Sequence, residues 1–233
     1  MPTQFRNKLL RHFDEQTIAR LELCPVKLER NREIENPGQT IENLYFIESG
    51  IGSMTTTFES GAQVEVGMFG YESVMGASAL IGTKRSLNRI YMQLAGHGFS
   101  SRFECAIMEF QRYEKFHDLV LRYTQAQLIQ TAQSAGCNAQ HALKQRLSRW
   151  LLLCADRAQS NTLDLTQEFL ADMLGTRRAT VSVAAEMLKR RKLIEYHRGV
   201  VQILDRPGLE RLTCECYRVV KNHLDNYDEV EQN

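Results

Sequence analysis

One segment near the C-terminal end constrains the fold more than any other part of the chain. Residues 163–205 open with a short strand-like lead, and a helical pattern follows from 167 to 174, with Thr166 as its expected N-cap. Gly175 then suits a tight turn, because glycine adopts positive φ without strain. A second helical pattern runs from 177 to 191. This order predicts two helices joined by a short turn.

Two strand-like runs follow the second helix. They cover 193–196 and 200–204, and the basic turn His197-Arg198-Gly199 separates them. A helix, a glycine turn, a helix and a hairpin in this order predict a winged helix-turn-helix. Such a motif presents the first turn of its second helix to base edges in the major groove, while the wing tip touches the flanking backbone.

The distribution of charge agrees with a DNA-binding surface. The 233-residue chain has a net charge of only +1, but residues 139–205 hold 11 Lys and Arg against 7 Asp and Glu. Within them, residues 177–192 carry six bases against the single acid Glu186. A local excess of bases is what a phosphate-binding face requires. A charge run is also typical of a solvated face, so this pattern alone does not decide the function.

The residues expected to contact DNA are polar or basic and lie on the two helices or at the wing tip. They are Thr166, Gln167, Thr176, Arg177, Arg178, Thr180, Ser182, Lys189 and Arg198. The apolar residues Val181, Ala184, Ala185 and Leu188 define the side of the second helix that we expect to be buried.

The first half of the chain has a different hydrophobic pattern. From about 26 to 110, short alternating runs such as 44–47, 53–58, 63–66 and 89–94 are separated by turn residues. Many short strands at regular spacing predict an antiparallel barrel or roll. With the C-terminal motif, this makes the fold class α+β.

A long helical stripe joins the two halves. Its apolar residues Phe116, Leu119, Tyr123, Ala126, Ile129 and Ala132 are spaced three and four apart, and no Pro or Gly occurs from 110 to 135. A helix of about 25 residues is about 38 Å long, which exceeds what a small barrel covers. We therefore expect helix 111–135 to pair with its copy in a homodimer, although burial within its own subunit is an alternative. Gly136-Cys137-Asn138 is predicted to form a hinge.

The chain as a whole resembles the Crp/Fnr family of transcription regulators. Residues 163–205 resemble the DNA-binding domain of that family. Asn36-Pro37-Gly38, the run 44–50 and the later glycines resemble its N-terminal β-roll. The resemblance implies a sensor domain at 1–110, a dimerisation helix and hinge at 111–137, and a DNA-binding domain at 138–233. It also implies a palindromic operator in double-stranded DNA and RNA polymerase as a protein partner.

The resemblance assigns roles to single residues of the motif. Arg178 matches an arginine that reads a guanine. Thr180 and Ser182 match positions that contact phosphate or bases, and Thr166 matches a residue that touches a backbone phosphate. The family often has Glu directly after the arginine and a second Arg four positions further, where this chain has Ala179 and Val183. The target sequence is therefore expected to differ from the best-known one.

Effector-binding candidates occur in the predicted roll. Cyclic-nucleotide binders of the family clamp the ribose and the phosphate with a Gly-Glu element and an Arg-Ser-Ala element. The corresponding residues here are Glu72 and Arg85-Ser86, with Leu87 in place of the small residue and Arg89 as an alternative base. The competing interpretation is that these bases lie on an exposed loop, and that the chain is a branch without the usual cyclic-AMP pocket.

The six cysteines are scattered and are expected to be reduced thiols. Cys137 with His141, or Cys214 with Cys216, are alternative redox or metal-sensing pairs, although buried structural thiols are the competing interpretation. No metal ligand set and no cofactor is predicted. An enzyme built on the roll is disfavoured because the strands offer only His97 as a metal-ligating imidazole. The absence of an apolar leader or spanning run leads us to expect a cytoplasmic protein without membrane attachment.

Overall fold

A computed structural model describes residues 5–229 of the chain, which divide into two compact units. Within the described range, the first unit contains 5–54, 68–129 and 223–229, and the second contains 55–67 and 130–222. The predicted boundaries at 110 and 137 differ from this division, since the hairpin tip at 55–67 groups with the C-terminal residues. Each unit is described by itself.

Strands and a few short helices precede the long helix, and the chain is mainly helical after it. The elements are a 3₁₀ turn Leu10–His12, α1 Glu15–Arg20, β1 Cys24–Leu28, β2 Glu33–Glu35, β3 Asn43–Thr57, β4 Gln63–Phe69, β5 Val74–Met75, α2 Ser78–Ile81, β6 Arg89–Arg102, α3 Phe103–Phe110, α4 Lys115–Gln140, α5 Leu143–Ala158, β7 Thr162–Asp164, α6 Gln167–Met173, α7 Arg178–Arg190, β8 Ile194–His197, β9 Val200–Ile203, α8 Arg206–Leu212 and α9 Cys216–Asn226.

The first unit is built around an antiparallel sheet, as predicted. Its strand order is β1-β6-β3-β4, with β2 paired to β6 and β5 paired to β3. The sheet buries an apolar core that includes Leu28, Ile47 and Met92. The predicted strand break at 48–50 does not occur, because β3 continues through Gly50 to Thr57.

The long helix differs from its prediction at both ends. Helix α3 closes at Phe110, and α4 then runs from Lys115 to Gln140 without interruption. The helix is not interrupted at the predicted hinge, 136–138: Gly136 costs a helix only about 1 kcal/mol, and here it lies inside α4. Of the predicted stripe, Phe116, Leu119, Tyr123 and Ala126 are buried, whereas Ile129 is half-buried and Ala132 is exposed.

The second unit places α5 to α8 beside a three-stranded sheet of order β7-β9-β8. Helix α5 is its central element, and Trp150 is the largest fully buried side chain in the described part of the chain. The indole Nε1 of Trp150 donates to Glu65 Oε1 at 2.8 Å, and its ring meets Phe169 edge-to-face at 6.0 Å. The hydrogen bond ties α5 to strand β4, and the ring contact packs α5 against α6, the first helix of the predicted motif.

Candidate nucleic-acid interface

The first helix of the motif is α6, and its N-terminus forms as predicted. Thr166 is the N-cap, and its hydroxyl accepts a hydrogen bond from the Phe169 amide at 3.1 Å. Leu170 and Met173 face the core. Gly175 follows with a φ of +56°, a left-handed conformation that glycine adopts readily, and the chain turns there into the second helix.

The second helix, α7, separates an apolar side from an exposed side. Val181, Ala184, Ala185 and Leu188 are all buried, which confirms the predicted inner face. Arg178, Ala179, Thr180 and Val183 are exposed on the N-terminal half. Helix α7 therefore presents its first two turns to solvent, as a recognition helix must do.

A tight hairpin follows α7 and forms the wing. Strands β8 and β9 pair antiparallel, with Tyr196 opposite Val201. Arg198 and Gly199 between them have φ values of +46° and +84°, which are characteristic of a two-residue type I′ turn. The Tyr196 hydroxyl donates to the Leu165 carbonyl at 3.0 Å and ties the wing to the start of the motif. The turn leaves the Arg198 side chain exposed.

Three arginines carry the positive charge of this surface. Arg177, Arg178 and Arg198 are exposed, and none of them forms an ion pair or a side-chain hydrogen bond among residues 5–229. Arg177 is the N-cap of α7 and makes no side-chain capping bond, so the first amides of the helix are not capped by a side chain. Unpaired arginines beside a helix N-terminus favour an anionic partner.

Besides the N-cap Thr166, three of the predicted contact residues are engaged within the protein. The Ser182 hydroxyl donates to Gln167 Oε1 at 2.6 Å and thereby links α7 to α6. Lys189 pairs with Glu195 at 2.8 Å, and this hydrogen bond raises the pKa of Lys189. Lys189 lies 11 residues after Arg178, about 16 Å along the helix. The structure therefore does not group Lys189 with the exposed N-terminal residues of α7.

The remaining predicted residues lie near the turn between the helices. Thr176 is half-buried directly after Gly175, and Thr180 is exposed on the first turn of α7. Val183 extends the same exposed face, with 72% of its surface accessible. In the sequence Val183 stands out only as a departure from the family pattern, yet an apolar residue at a solvent-facing position of a helix is itself a signal of contact.

The structure does not assemble the predicted effector residues into one clamp. Glu72 is buried, where its carboxylate accepts from the Ser73 hydroxyl at 3.1 Å. The buried Ser86 hydroxyl donates to Glu35 Oε2 at 2.7 Å. Arg89 lies in strand β6 and forms an ion pair with Glu33 at 2.5 Å. The hydroxyl and the guanidinium expected to hold a phosphate are thus already bonded to carboxylates.

Arg85 is exposed, and its guanidinium donates to the Gly38 carbonyl at 3.0 Å. A cavity of about 100 Å³ in the first unit is lined mainly by apolar side chains together with Glu35, and no Lys or Arg of the described chain lines it. Burial raises the pKa of the Glu35 carboxyl, which accepts hydrogen bonds from the Gly76 amide and Ser86. A carboxyl group in this position disfavours a cyclic phosphate.

The two cysteine pairs considered separately in the sequence come together in the second unit. The ligand atoms of Cys137, His141, Cys214 and Cys216 all lie within 4.8 Å of one another. The sequence could not show this proximity, because Cys137 and Cys214 are separated by 77 positions. Within residues 5–229, no helix has the length and apolar character required to cross a bilayer.

Comparison with known proteins identifies the motif. A Crp-like helix-turn-helix domain model matches residues 145–212. The global nitrogen regulator of Synechococcus elongatus is 26% identical over 215 residues, which are 88% of this chain and 96% of that protein.

Two crystal structures share the fold. A Crp/Fnr-family transcriptional regulator from Eubacterium rectale superposes with a TM-score of 0.71 at 15% identity, covering 89% of this chain and 98% of that one. FixK2 from Bradyrhizobium japonicum also has a TM-score of 0.71, at 14% identity, covering 82% of this chain and 98% of its own. The winged motif, the sheet, the long helix and these similarities together show a Crp-like DNA-binding transcription regulator: residues 145–212 form a Crp-like helix-turn-helix domain, and the chain has the fold of Crp/Fnr-family regulators.

Proposed function

We propose that the protein binds a palindromic operator in double-stranded DNA as a homodimer, with α7 of each subunit in the major groove. The observation that carries this proposal is the unpaired positive charge of Arg177 and Arg178 at the uncapped N-terminus of α7. Helix-turn-helix proteins place this end of the second helix against base edges. Each subunit would then read one half-site.

Arg178 is the proposed base reader. Its guanidinium is exposed on the first turn of α7 and has five N–H donors, two of which match the paired acceptors O6 and N7 of guanine. Thr180 on the same turn is proposed to contact a base or a phosphate. Ala179 and Val183 present methyl groups at positions where the family often has polar residues, and we propose that they contact thymine methyl groups.

The other residues are proposed to hold the motif on the phosphate backbone. Arg177 and Thr176 flank the start of α7, and Thr166 marks the start of α6. Arg198 at the wing tip is proposed to reach the phosphates that flank the groove. Gln167 and Ser182 are proposed to act together, because their mutual hydrogen bond orients both side chains. Lys189 has at most a distant electrostatic role, since Glu195 pairs with it.

The dimer is proposed to form along α4, but on a different face from the predicted stripe. Leu121, Gln125, Leu128, Ala132 and Ala135 are all exposed and are spaced alternately by four and three residues. This seven-residue repeat is the pattern of a two-helix seam. Leu128 has 68% of its surface exposed and Leu121 has 42%, so a second copy of the helix would cover both.

Operator DNA and RNA polymerase, the expected protein partner, are found in the bacterial cytoplasm, and we propose that the protein acts there.

An effector is proposed to enter the cavity beside Glu35. The Glu35 carboxyl in this cavity favours a ligand that donates a hydrogen bond or carries positive charge, and it disfavours a ligand that carries a phosphate. Cyclic AMP is therefore expected to leave the thermal midpoint unchanged, whereas a bound ligand raises it by mass action.

In vitro selection from random duplexes with the purified full-length protein tests the operator proposal. We expect an inverted repeat whose half-sites are centred about 10 base pairs, or one DNA turn, apart. Each half-site should contain a guanine whose substitution weakens binding. Enrichment of a single, non-repeated site would contradict the dimeric arrangement, and no enrichment at all would contradict sequence-specific binding.

A further inference from the structure

Three cysteines and a histidine converge in the second unit, and we propose that they bind one tetrahedral metal ion, Zn²⁺. The four residues are Cys137, His141, Cys214 and Cys216. The proposal goes beyond DNA binding and does not depend on it. It rests on the positions of the ligand atoms, on the groups that surround them and on a buried arginine that lacks a carboxylate partner.

The local backbone explains why these side chains meet. The His141 amide donates to the Cys137 carbonyl at 3.0 Å, so His141 completes the last turn of α4 and both side chains lie on one face. Cys214 lies in the short connection between α8 and α9, and Cys216 is the first residue of α9. They thus supply two thiols at the C-terminal end of α4, where the other two ligands lie.

The distances fit a single ion. The Sγ atoms of Cys137 and Cys214 are 3.6 Å apart, and Cys216 Sγ is 3.5 Å from His141 Nδ1. Zinc–sulfur bonds of about 2.3 Å in a tetrahedron place ligand atoms about 3.8 Å apart. An iron–sulfur cluster spreads its ligands over different irons and needs wider spacing. The compact arrangement therefore favours a mononuclear site.

The surrounding groups match the requirements of a closed structural site. The three cysteines are almost completely buried, so four protein ligands would enclose the ion without water. Gln133 Nε2 lies 3.1 Å from Cys216 Sγ, in position to donate to a thiolate. His141 directs Nδ1 to the cluster, while its Nε2 lies 3.4 Å from Glu215 Oε1. A carboxylate behind a metal-binding imidazole fixes its orientation and its tautomer.

The charge of the site agrees with the same assignment. Zn²⁺ would displace three thiol protons and bind neutral His141, which leaves a complex of net charge −1. Arg149 is buried, forms no ion pair with a carboxylate among the described residues, and has an Nε atom without a hydrogen-bond partner. Its Coulombic effect acts on Cys137. The complex would supply the negative charge that this buried guanidinium lacks.

Metal analysis of the reduced full-length protein tests the site. Protein purified from zinc-supplemented cells without chelator should contain about one zinc per chain by elemental analysis and native mass spectrometry. After metal removal under reductant, Co²⁺ is the spectroscopic probe: tetrahedral thiolate coordination should give intense visible and charge-transfer bands. If the reduced protein contains no zinc and also gives no cobalt bands, the proposal is overturned.

Variants distinguish these ligands from the other thiols. Cys216→Ser and His141→Asn should lower the zinc affinity at least about tenfold, whereas Cys154→Ala, which removes a buried thiol elsewhere in the unit, should retain one zinc. If a ligand variant does not fold, Glu215→Gln still tests the site. Its side chain is 68% exposed, and we expect about tenfold weaker binding with unchanged circular dichroism.

Equal zinc affinity in the ligand variants and the wild type would refute the assignment. The competing possibility is a disulfide between Cys137 and Cys214. If mild oxidation joins these two residues and the reduced protein binds neither zinc nor cobalt, the cluster is a redox pair and the metal proposal is wrong.

Discussion

Replacing Arg178 by alanine removes the proposed base reader and leaves the rest of the motif intact. Arg178 is exposed on the first turn of α7 and forms no side-chain hydrogen bond or ion pair in the described part of the chain. A bidentate contact with guanine discriminates against the wrong base by about 1–3 kcal/mol. At 25 °C this corresponds to a loss of roughly 5- to 160-fold in affinity for the selected operator.

Fluorescence anisotropy with a labelled operator and a scrambled duplex of equal length measures the effect at several salt concentrations. Arg190→Ala is the matched control, because it removes the same charge from the same helix. Arg190 is highly exposed, pairs with Glu186 at 3.0 Å and lies 12 residues after Arg178, about 18 Å along α7. We expect the control to produce only a small loss that is similar on both duplexes.

Two outcomes would refute Arg178 as the base reader. If Arg178→Ala weakens binding to the operator and to the scrambled duplex equally, and the salt slope falls by about one, Arg178 contacts a phosphate and reads no base. If Arg178→Ala and Arg190→Ala give the same losses on the operator, the N-terminus of α7 is not the reading end.

Three further changes test the dimer, a buried ion pair and a helix cap. Leu128→Glu should shift the dimer towards monomer in sedimentation equilibrium, whereas Leu87→Glu, at an equally exposed leucine of the first unit, should not; equal behaviour would exclude the α4 seam. The hydrogen bond from Arg20 lowers the pKa of Glu109 below its ordinary value of 4.5. This pair therefore stabilises the folded state above about pH 4.5. The stabilisation is lost as the pH falls through the lower pKa that Glu109 has in the folded protein. Glu109→Gln should therefore unfold more easily than the wild type at pH 7, with a difference that shrinks in acid; a constant difference would show that the pair does not cause it. Asp205→Ala removes the side chain that accepts from the Gly208 amide at 2.9 Å and should cost about 1 kcal/mol in urea unfolding, which Asp205→Asn should largely restore.

Local periodicity predicted the DNA-binding motif well because its elements are short and adjacent. The buried side of α7, the N-cap Thr166 and the basic turn at Arg198 each depend on a few neighbouring residues. The same reasoning assigned the predicted dimer contact to a stripe of α4 that the subunit itself largely buries. Apolar residues such as Phe116 and Tyr123 mark the face that is buried, but periodicity alone does not show whether the subunit itself or a second copy buries it.

The remaining differences arise from contacts between residues that are distant in the sequence. In the sequence Ser86 resembles part of a phosphate clamp, but in the structure its hydroxyl is bonded to Glu35, 51 positions away. Gly136 predicts a hinge, but one glycine does not outweigh the hydrogen bonds and packing of a 26-residue helix. Cys137 and Cys214 looked like members of separate pairs because local spacing cannot show which thiols meet in the folded chain.

Helix α4 gives the two proposals a common physical basis. Its exposed repeat continues to Ala135, and the next two residues lead to Cys137, so the proposed dimer seam ends where the proposed metal ligands begin. A dimeric reader must keep its two recognition helices about 34 Å apart to match successive major grooves. An ion held by Cys137, His141, Cys214 and Cys216 would join the last turn of α4 to the connection between α8 and α9 by four bonds. The end of α4 lies in the same unit as α7, so this cross-link would brace that unit internally, in a protein whose α4 has no break at 136–138. It would restrict the movement of α8 and α9 against the last turn of α4, and such rigidity favours a fixed half-site spacing in a dimeric reader.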